Sequence, residues 1–184
     1  MNAEIKTIAV IGADLTGRQF ARAALLAGYR TILEDVAPNR LEQAITWIKN
    51  LSADSCSRLL TASTVEEALR EADLIVEAVA EEMEMKIEMF TIFDKFAKSN
   101  AIFASSSSSL SIADMASVTF CPERCIGMRF SHSAGGKNIL ELVRAPQTSQ
   151  ETVAACREVG RRMGKEVVIA SELPTSRKSA AAQE

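Results

Sequence analysis

Residues 6–35 read KTIAVIGADLTGRQFARAALLAGYRTILED, and their order decides the fold. The run KTIAVIGA at 6–13 is short, apolar and β-rich, and its Gly12 suits the end of a buried strand. LTGRQFARAALLAG at 15–28 places Phe20, Ala24 and Ala27 close to helical spacing, and Gly28 suits a helix C-terminus. YRTILED at 29–35 reads as a second strand that ends in acids. Strand, glycine turn, helix and strand in succession describe a crossover unit of a parallel sheet.

The turn itself reads Gly12-Ala13-Asp14-Leu15-Thr16-Gly17. In the dinucleotide fingerprint G-x-G-x-x-G, the first glycine permits a tight turn. The second lets the backbone approach a pyrophosphate, and the third allows the helix to pack on the strand. Here the first and third are kept and the second is Asp14, so Gly12, Asp14, Leu15 and Gly17 are the candidate phosphate-side residues. Asp35 ends the second strand, 18 residues after Gly17, where an acid accepts hydrogen bonds from an adenine-ribose diol. An acid there favours NAD over NADP, whose 2′-phosphate it would repel. The plainer alternative is that Glu34 and Asp35 only begin a polar loop. Asp14 opposes binding. A carboxylate roughly 5 Å from a phosphate repels it by about 3 kcal/mol at an effective dielectric near 20, and by less if it points into solvent.

Outward from this unit the alternation continues. Helices are expected at 38–51, 64–72, 82–99, 111–117 and 149–164, and strands at 58–63, 73–80, 100–105, 124–131, 138–145 and 165–170. The expected fold is therefore α/β, a Rossmann-type doubly wound domain with a mostly parallel sheet covered on both faces. The expected domain is residues 1–172. The tail, 173–184, has no periodicity and is expected to be mobile.

Composition removes several classes of function. The net charge of the 184-residue chain is −3 with no basic run, which argues against a nucleic-acid partner. No apolar run approaches 18 residues and no secretory signal pattern is present, so neither a membrane nor export is expected and the chain reads as cytoplasmic. Four cysteines accompany a single histidine, His132, without metal-ligand spacing, so no metal is expected.

The run Ser105-Ser106-Ser107-Ser108-Ser109 looks like a linker by composition. Its place argues otherwise, since it lies between the strand NAIFAS and the helix SIADMAS. Ligands of open parallel sheets sit beyond the strands' carboxyl ends. Hydroxyls there suit a substrate, or equally a helix cap.

Taken together, the glycine turn, DLIVEAVAEEMEMKIEMF at 73–90, ASSSSSLSIADMA at 104–116, CPERCIGMRF at 121–130 and ILELV at 139–143 resemble the NAD-binding domain of the 3-hydroxyacyl-CoA dehydrogenases. The resemblance covers nearly the whole chain. It implies NAD as cofactor, an acyl-CoA substrate and a role in fatty-acid metabolism. It also implies roles for single residues. Ser108 matches the serine that holds the substrate's 3-oxygen, and Ser106 stands where the family has asparagine. Glu81 and Lys86 match an acid and a lysine lining the nicotinamide side of the cofactor site. Glu141 matches the glutamate that orients the catalytic histidine.

That histidine is replaced by Arg129. Arginine does not deprotonate at usable pH, so it is no general base, though it suits an ion pair with Glu141 or the polarising of a carbonyl. His132, three positions later, reads either as a displaced base or as a rim histidine. The family's all-helical second domain has no counterpart after SELPTSRKSAAAQE, and Ser179 falls where the family has a site asparagine. Two functions follow: a 3-hydroxyacyl-CoA dehydrogenase, or a non-catalytic nucleotide-binding or interaction module on the same fold. The sequence leaves a homo-oligomer open.

Overall fold

The computed structural model describes residues 4–132 and 138–172. Eight strands form one sheet: β1 (Thr7–Ile11), β2 (Arg30–Glu34), β3 (Leu59–Thr61), β4 (Leu74–Glu77), β5 (Ile102–Ser105), β6 (Cys125–His132), β7 (Asn138–Arg144) and β8 (Glu166–Ser171). Their order is β3-β2-β1-β4-β5-β6-β7-β8. All neighbours run parallel except β6 and β7, which are antiparallel. The strand order reverses beside β1, with β2 on one flank and β4 on the other, and this switch point lies at the Gly12 turn.

Among the described residues seven α-helices cover the faces: α1 (Leu15–Leu26), α2 (Pro38–Ile48), α3 (Ala53–Ser57), α4 (Val65–Leu69), α5 (Met83–Phe96), α6 (Ile112–Ala116) and α7 (Gln150–Arg162). One core gathers Ile8, Val10, Phe20, Ala24, Leu33 and Val159 beneath α1, α2 and α7. The other gathers Ala9, Ile11, Ile75, Phe90, Phe93 and Phe103 beneath α4, α5 and α6. Residues alternate between the two cores along the central strands, as the pleat requires. The central strands bury both faces, which is why they read as continuous apolar runs.

Helix starts follow their caps. Thr64 accepts from the Glu67 amide and Glu67 answers by accepting from the Ser63 amide, so the cap is reciprocal but displaced by one residue. Ser111 and Ser149 cap α6 and α7 through the amides of Asp114 and Thr152. The tail at 173–184, with Ser179, lies outside the described residues.

Candidate functional site

Both glycines of the first turn are required by packing. Gly12 has φ +104°, and a Cβ there would stand 2.4 Å from the Ala78 carbonyl oxygen. A Cβ on Gly17 would stand 1.8 Å from the Gly12 carbonyl oxygen. The turn thus brings α1 against β1 and β4, the close approach that a dinucleotide turn uses.

Asp14 does not point away. It is the N-cap of α1, and its carboxylate accepts from the Gly17 amide at 3.1 Å. A negative group therefore already sits at the helix N-terminus, where a pyrophosphate would be held by the same amides and dipole. Leu15 is exposed beside it.

Asp35 is buried and occupied. It accepts from the amides of Ala13 at 2.8 Å and Ala37 at 2.7 Å, and pairs with Arg40 at 3.2 Å. The bond to Ala37 is a local turn, as the polar-loop reading expects. The bond to Ala13 ties the acid to the glycine turn. Arg40 is half exposed, so its place on the carboxylate is open to exchange.

Between these residues a cavity of about 280 Å³ opens at the carboxyl edge of β1 and β2. Gly12, Asp14, Asp35 and Arg40 form its polar rim, and Ile11, Val36, Val65, Met85 and Met89 its apolar wall. Its shape and walls suit the adenosine half of a dinucleotide. The fit is good there and poorer at the phosphates, where Asp14 intrudes.

The serine run resolves into two layers. Ser105 is buried and donates to Glu77 at 2.6 Å. The Ser106 amide donates to the Glu77 carbonyl at 2.9 Å. Ser107 is buried and donates to Glu81 at 2.7 Å, while its hydroxyl oxygen accepts from the Leu110 amide at 2.8 Å. The Ser108 amide donates to the same Glu81 oxygen at 2.9 Å, and the Ser108 side chain is exposed at the edge. Burial alone would raise the Glu81 carboxyl. The Ser107 hydroxyl, the Lys86 ammonium and the amides of Ser108 and Ser109 outweigh it and hold the group at about 2.

Lys86 lies under this turn rather than in the cavity. Its side chain has no exposed surface and its ammonium contacts Glu77 at 2.6 Å, Glu81 at 3.4 Å and the Val79 carbonyl at 3.3 Å. Glu77, equally buried, also accepts from the Val79 amide at 2.8 Å. This buried pair sets the loop after β4, and sequence reading missed its acid half. A carboxylate inside the strand run LIVE, buried on both faces, was the available signal.

Arg129 and Glu141 stand opposite each other in the β6–β7 register. Arg129 donates to Glu141 at 2.7 Å and to the Ser108 carbonyl. The guanidinium holds Glu141 below the usual carboxylate range, against a smaller opposing effect of burial. Arg129 thus joins two candidate residues. His132 ends β6 opposite Asn138, and its side chain lies outside the described residues. Among the described residues there is no cluster fit for a metal ion, and no helix is long and apolar enough to cross a membrane.

Three comparisons place the chain. The sequence profile of the family described as "3-hydroxyacyl-CoA dehydrogenase, NAD binding domain" matches residues 7–173. A Bacillus subtilis protein named "Probable 3-hydroxybutyryl-CoA dehydrogenase" is 34% identical over 93% of this chain and 64% of its own length. A 3-hydroxybutyryl-CoA dehydrogenase of Bradyrhizobium diazoefficiens is 32% identical over 95% of this chain, again 64% of its own length. Among solved structures, (S)-3-hydroxybutyryl-CoA dehydrogenase from Ralstonia eutropha superposes with a TM-score of 0.85 at 25% identity, covering 93% of this chain and 65% of that one. The chain therefore spans just under two thirds of the length of these relatives.

Proposed function

The chain belongs to the 3-hydroxyacyl-CoA dehydrogenase family, as its NAD-binding domain, and from that membership we propose that it is an NAD-dependent oxidoreductase domain acting on 3-hydroxyacyl-CoA, with its proton-transfer step impaired. Residues 1–172 form the domain in this reading, and its setting is cytoplasmic fatty-acid metabolism. NAD, when bound, supplies the hydride acceptor.

The observation that carries the reading is the arrangement at the carboxyl edge. Glu81 pins the turn that presents Ser108, and Asp35 is tied to the Ala13 amide beside the cavity. Asp35 receives the adenine-ribose hydroxyls once Arg40 yields its place. Ser108 holds the substrate's 3-oxygen from its exposed position. Ser106 borders the nicotinamide side, and Lys86 acts from beneath by fixing Glu77 and Glu81. Gly12, Leu15 and Gly17 form the phosphate-side turn, with Asp14 weakening it.

Oxidation of a 3-hydroxyl releases a proton, which needs an acceptor. Arg129 keeps its own protons and cannot serve. It orients Glu141 and the Ser108 carbonyl instead. His132, three positions along β6 from Arg129, is the remaining histidine to test as a displaced base.

A second reading, a non-catalytic nucleotide-binding module, is favoured by one observation: the Arg129 guanidinium is held by Glu141 and the Ser108 carbonyl. Calorimetric titration with NAD, NADH and acetoacetyl-CoA separates the two. Saturable binding of both cofactor and acyl-CoA is the expected result. Cofactor binding alone would favour the module, and binding of neither would sink both.

A further inference from the structure

Four residues form one register row across the carboxyl edge of the sheet. Glu34 of β2 and Glu77 of β4 each stand beside Ile11 of β1, and Ser105 of β5 stands beside Glu77. The two glutamates are placed alike and treated differently. Glu77 is fully buried and answered by Lys86, the Val79 amide and Ser105. Glu34 is 3% exposed, its side chain makes no hydrogen bond or ion pair among the described residues, and its carboxyl oxygens are not among the fully sealed atoms. A buried carboxyl without partners is costly, and proteins keep few of them. The Glu34 side chain lines the 280 Å³ cavity, among Ile11, Val65 and Met89.

The charges around it are unfavourable to an anion. Asp35 follows it in the chain, and Glu66 reaches it from α4. Asp14, ahead of α1, lines the same cavity, and α5 contributes only Met85 and Met89 to the wall. Among the described residues the one cation on the rim, Arg40 of α2, is held by Asp35. Burial first, then the carboxylates of Asp35 and Glu66, push Glu34 up to about 7.

We propose that Glu34 is a specificity-determining residue of this chain's cofactor site, its carboxyl pairing with the amino edge of the adenine base. The inference rests on the nucleotide reading above. If Asp35 takes the ribose, the base enters the apolar cavity next to it, and the polar group waiting on that wall is Glu34. A neutral carboxyl is both donor and acceptor. Its carbonyl oxygen accepts from the adenine amine while its hydroxyl donates to the adjacent ring nitrogen, a two-point contact. An ionised carboxylate can accept but cannot donate, so it loses one of the two bonds and sets its charge against the ring nitrogen lone pair.

The test compares NAD with 1,N6-ethenoadenine dinucleotide, in which the amine and the ring nitrogen are both blocked, by calorimetry at pH 6 and pH 8.5. The native chain should prefer NAD by roughly tenfold at pH 6, the scale of a two-point base contact. That preference should shrink at pH 8.5. Glu34→Gln should keep the preference and lose its pH dependence, because an amide offers a donor and an acceptor at both pH values. Glu34→Val should abolish the preference. A preference that survives in Glu34→Val would come from the bulk of the etheno ring and would overturn the inference. Equal affinities in the native chain would overturn it while leaving the nucleotide reading intact. Failure of either dinucleotide to bind at any pH would overturn both.

Discussion

Arg129 and Glu141 face each other in register across β6 and β7, and the arginine donates to the carboxylate at 2.7 Å. The sheet therefore sets the pair in register, and the Ser108 carbonyl of the serine turn holds the arginine from a second side. At the point where the resemblance calls for a histidine, the same framework holds a group that cannot exchange a proton. Loss of a positioned general base costs about 10²- to 10⁴-fold in rate. Reduction of acetoacetyl-CoA by the native chain, followed by NADH absorbance, should be correspondingly slow against a family member with its histidine. Arg129→His should restore a His–Glu pair beside Ser108 and raise the rate. A native rate within about tenfold of such a member would show that the proton has another route, and His132→Ala would then be the variant to measure.

Asp14 occupies the α1 N-terminus as a cap, so its replacement has two separable effects. Asp14→Gly removes the negative charge from the phosphate seat and should tighten NAD binding at least several-fold, about 1 kcal/mol or more. Glycine is itself a tolerable cap, so the stability cost should be a few tenths of a kcal/mol. Calorimetry and thermal melts read the two effects independently. Equal or weaker NAD binding in the variant would count against the charge argument.

Lys86 is held in place by Glu77 with no access to water. Lys86→Met leaves the Glu77 carboxylate buried without its cation and should destabilise the chain by about 3–5 kcal/mol in urea denaturation. The double variant with Glu77→Gln removes both charges, keeps an acceptor for the Val79 amide and the Ser105 hydroxyl, and should recover part of that loss. A single-variant loss under about 1 kcal/mol would mean that water reaches the pair.

Glu34 makes stability depend on pH in an unusual direction for a carboxyl. Its folded value, about 7, lies above the ordinary value of 4.5. The folded chain therefore holds the proton longer than the unfolded chain does. This contribution is fully present below 4.5 and is lost as pH rises through about 7. The slope it adds is at most about 1.4 kcal/mol per pH unit. Glu34→Gln should flatten the decline, so the variant should gain stability relative to the native chain between pH 5 and pH 8. Parallel pH profiles for the two proteins would refute this.

The sequence made the architecture visible because each central strand is a continuous apolar run and each helix carries a cap or a periodic face. Gly12 and Gly17 marked the switch point because neither position has room for a Cβ atom. The antiparallel turn of β7 lay in the spacing and not in NILELVRA itself, since the gap between the strands expected at 124–131 and 138–145 is too short for a parallel crossover. Helix α3, five residues long, gave too little periodicity to register. At the site, the pairing of Arg129 with Glu141 was anticipated. The roles of Ser105 and Ser107 were not, because nothing in five identical residues says which hydroxyls turn inward. The open state of Glu34 required knowing that Lys86 reaches Glu77 and that no cation reaches its twin.

The reversal at β7 also bears on the order in which the chain assembles. Gly127 pairs with Val143 across β6 and β7, whereas Ile8 pairs with Leu74 across β1 and β4. The first contact closes 16 residues of chain (143 − 127) and the second closes 66 (74 − 8). Two doublings of loop length add about 1.2 kcal/mol of closure entropy. The β6–β7 hairpin, which carries Arg129 and Glu141, should therefore gain protection first. The Gly12 turn, dependent on the distant β1–β4 pairing, should follow. Pulse-labelled hydrogen exchange during refolding would register this as early protection of the Met128 and Leu142 amides and later protection of Val10 and Val76. The substrate edge would then be in place before the nucleotide cavity exists, and the opposite order of protection would exclude that sequence of events.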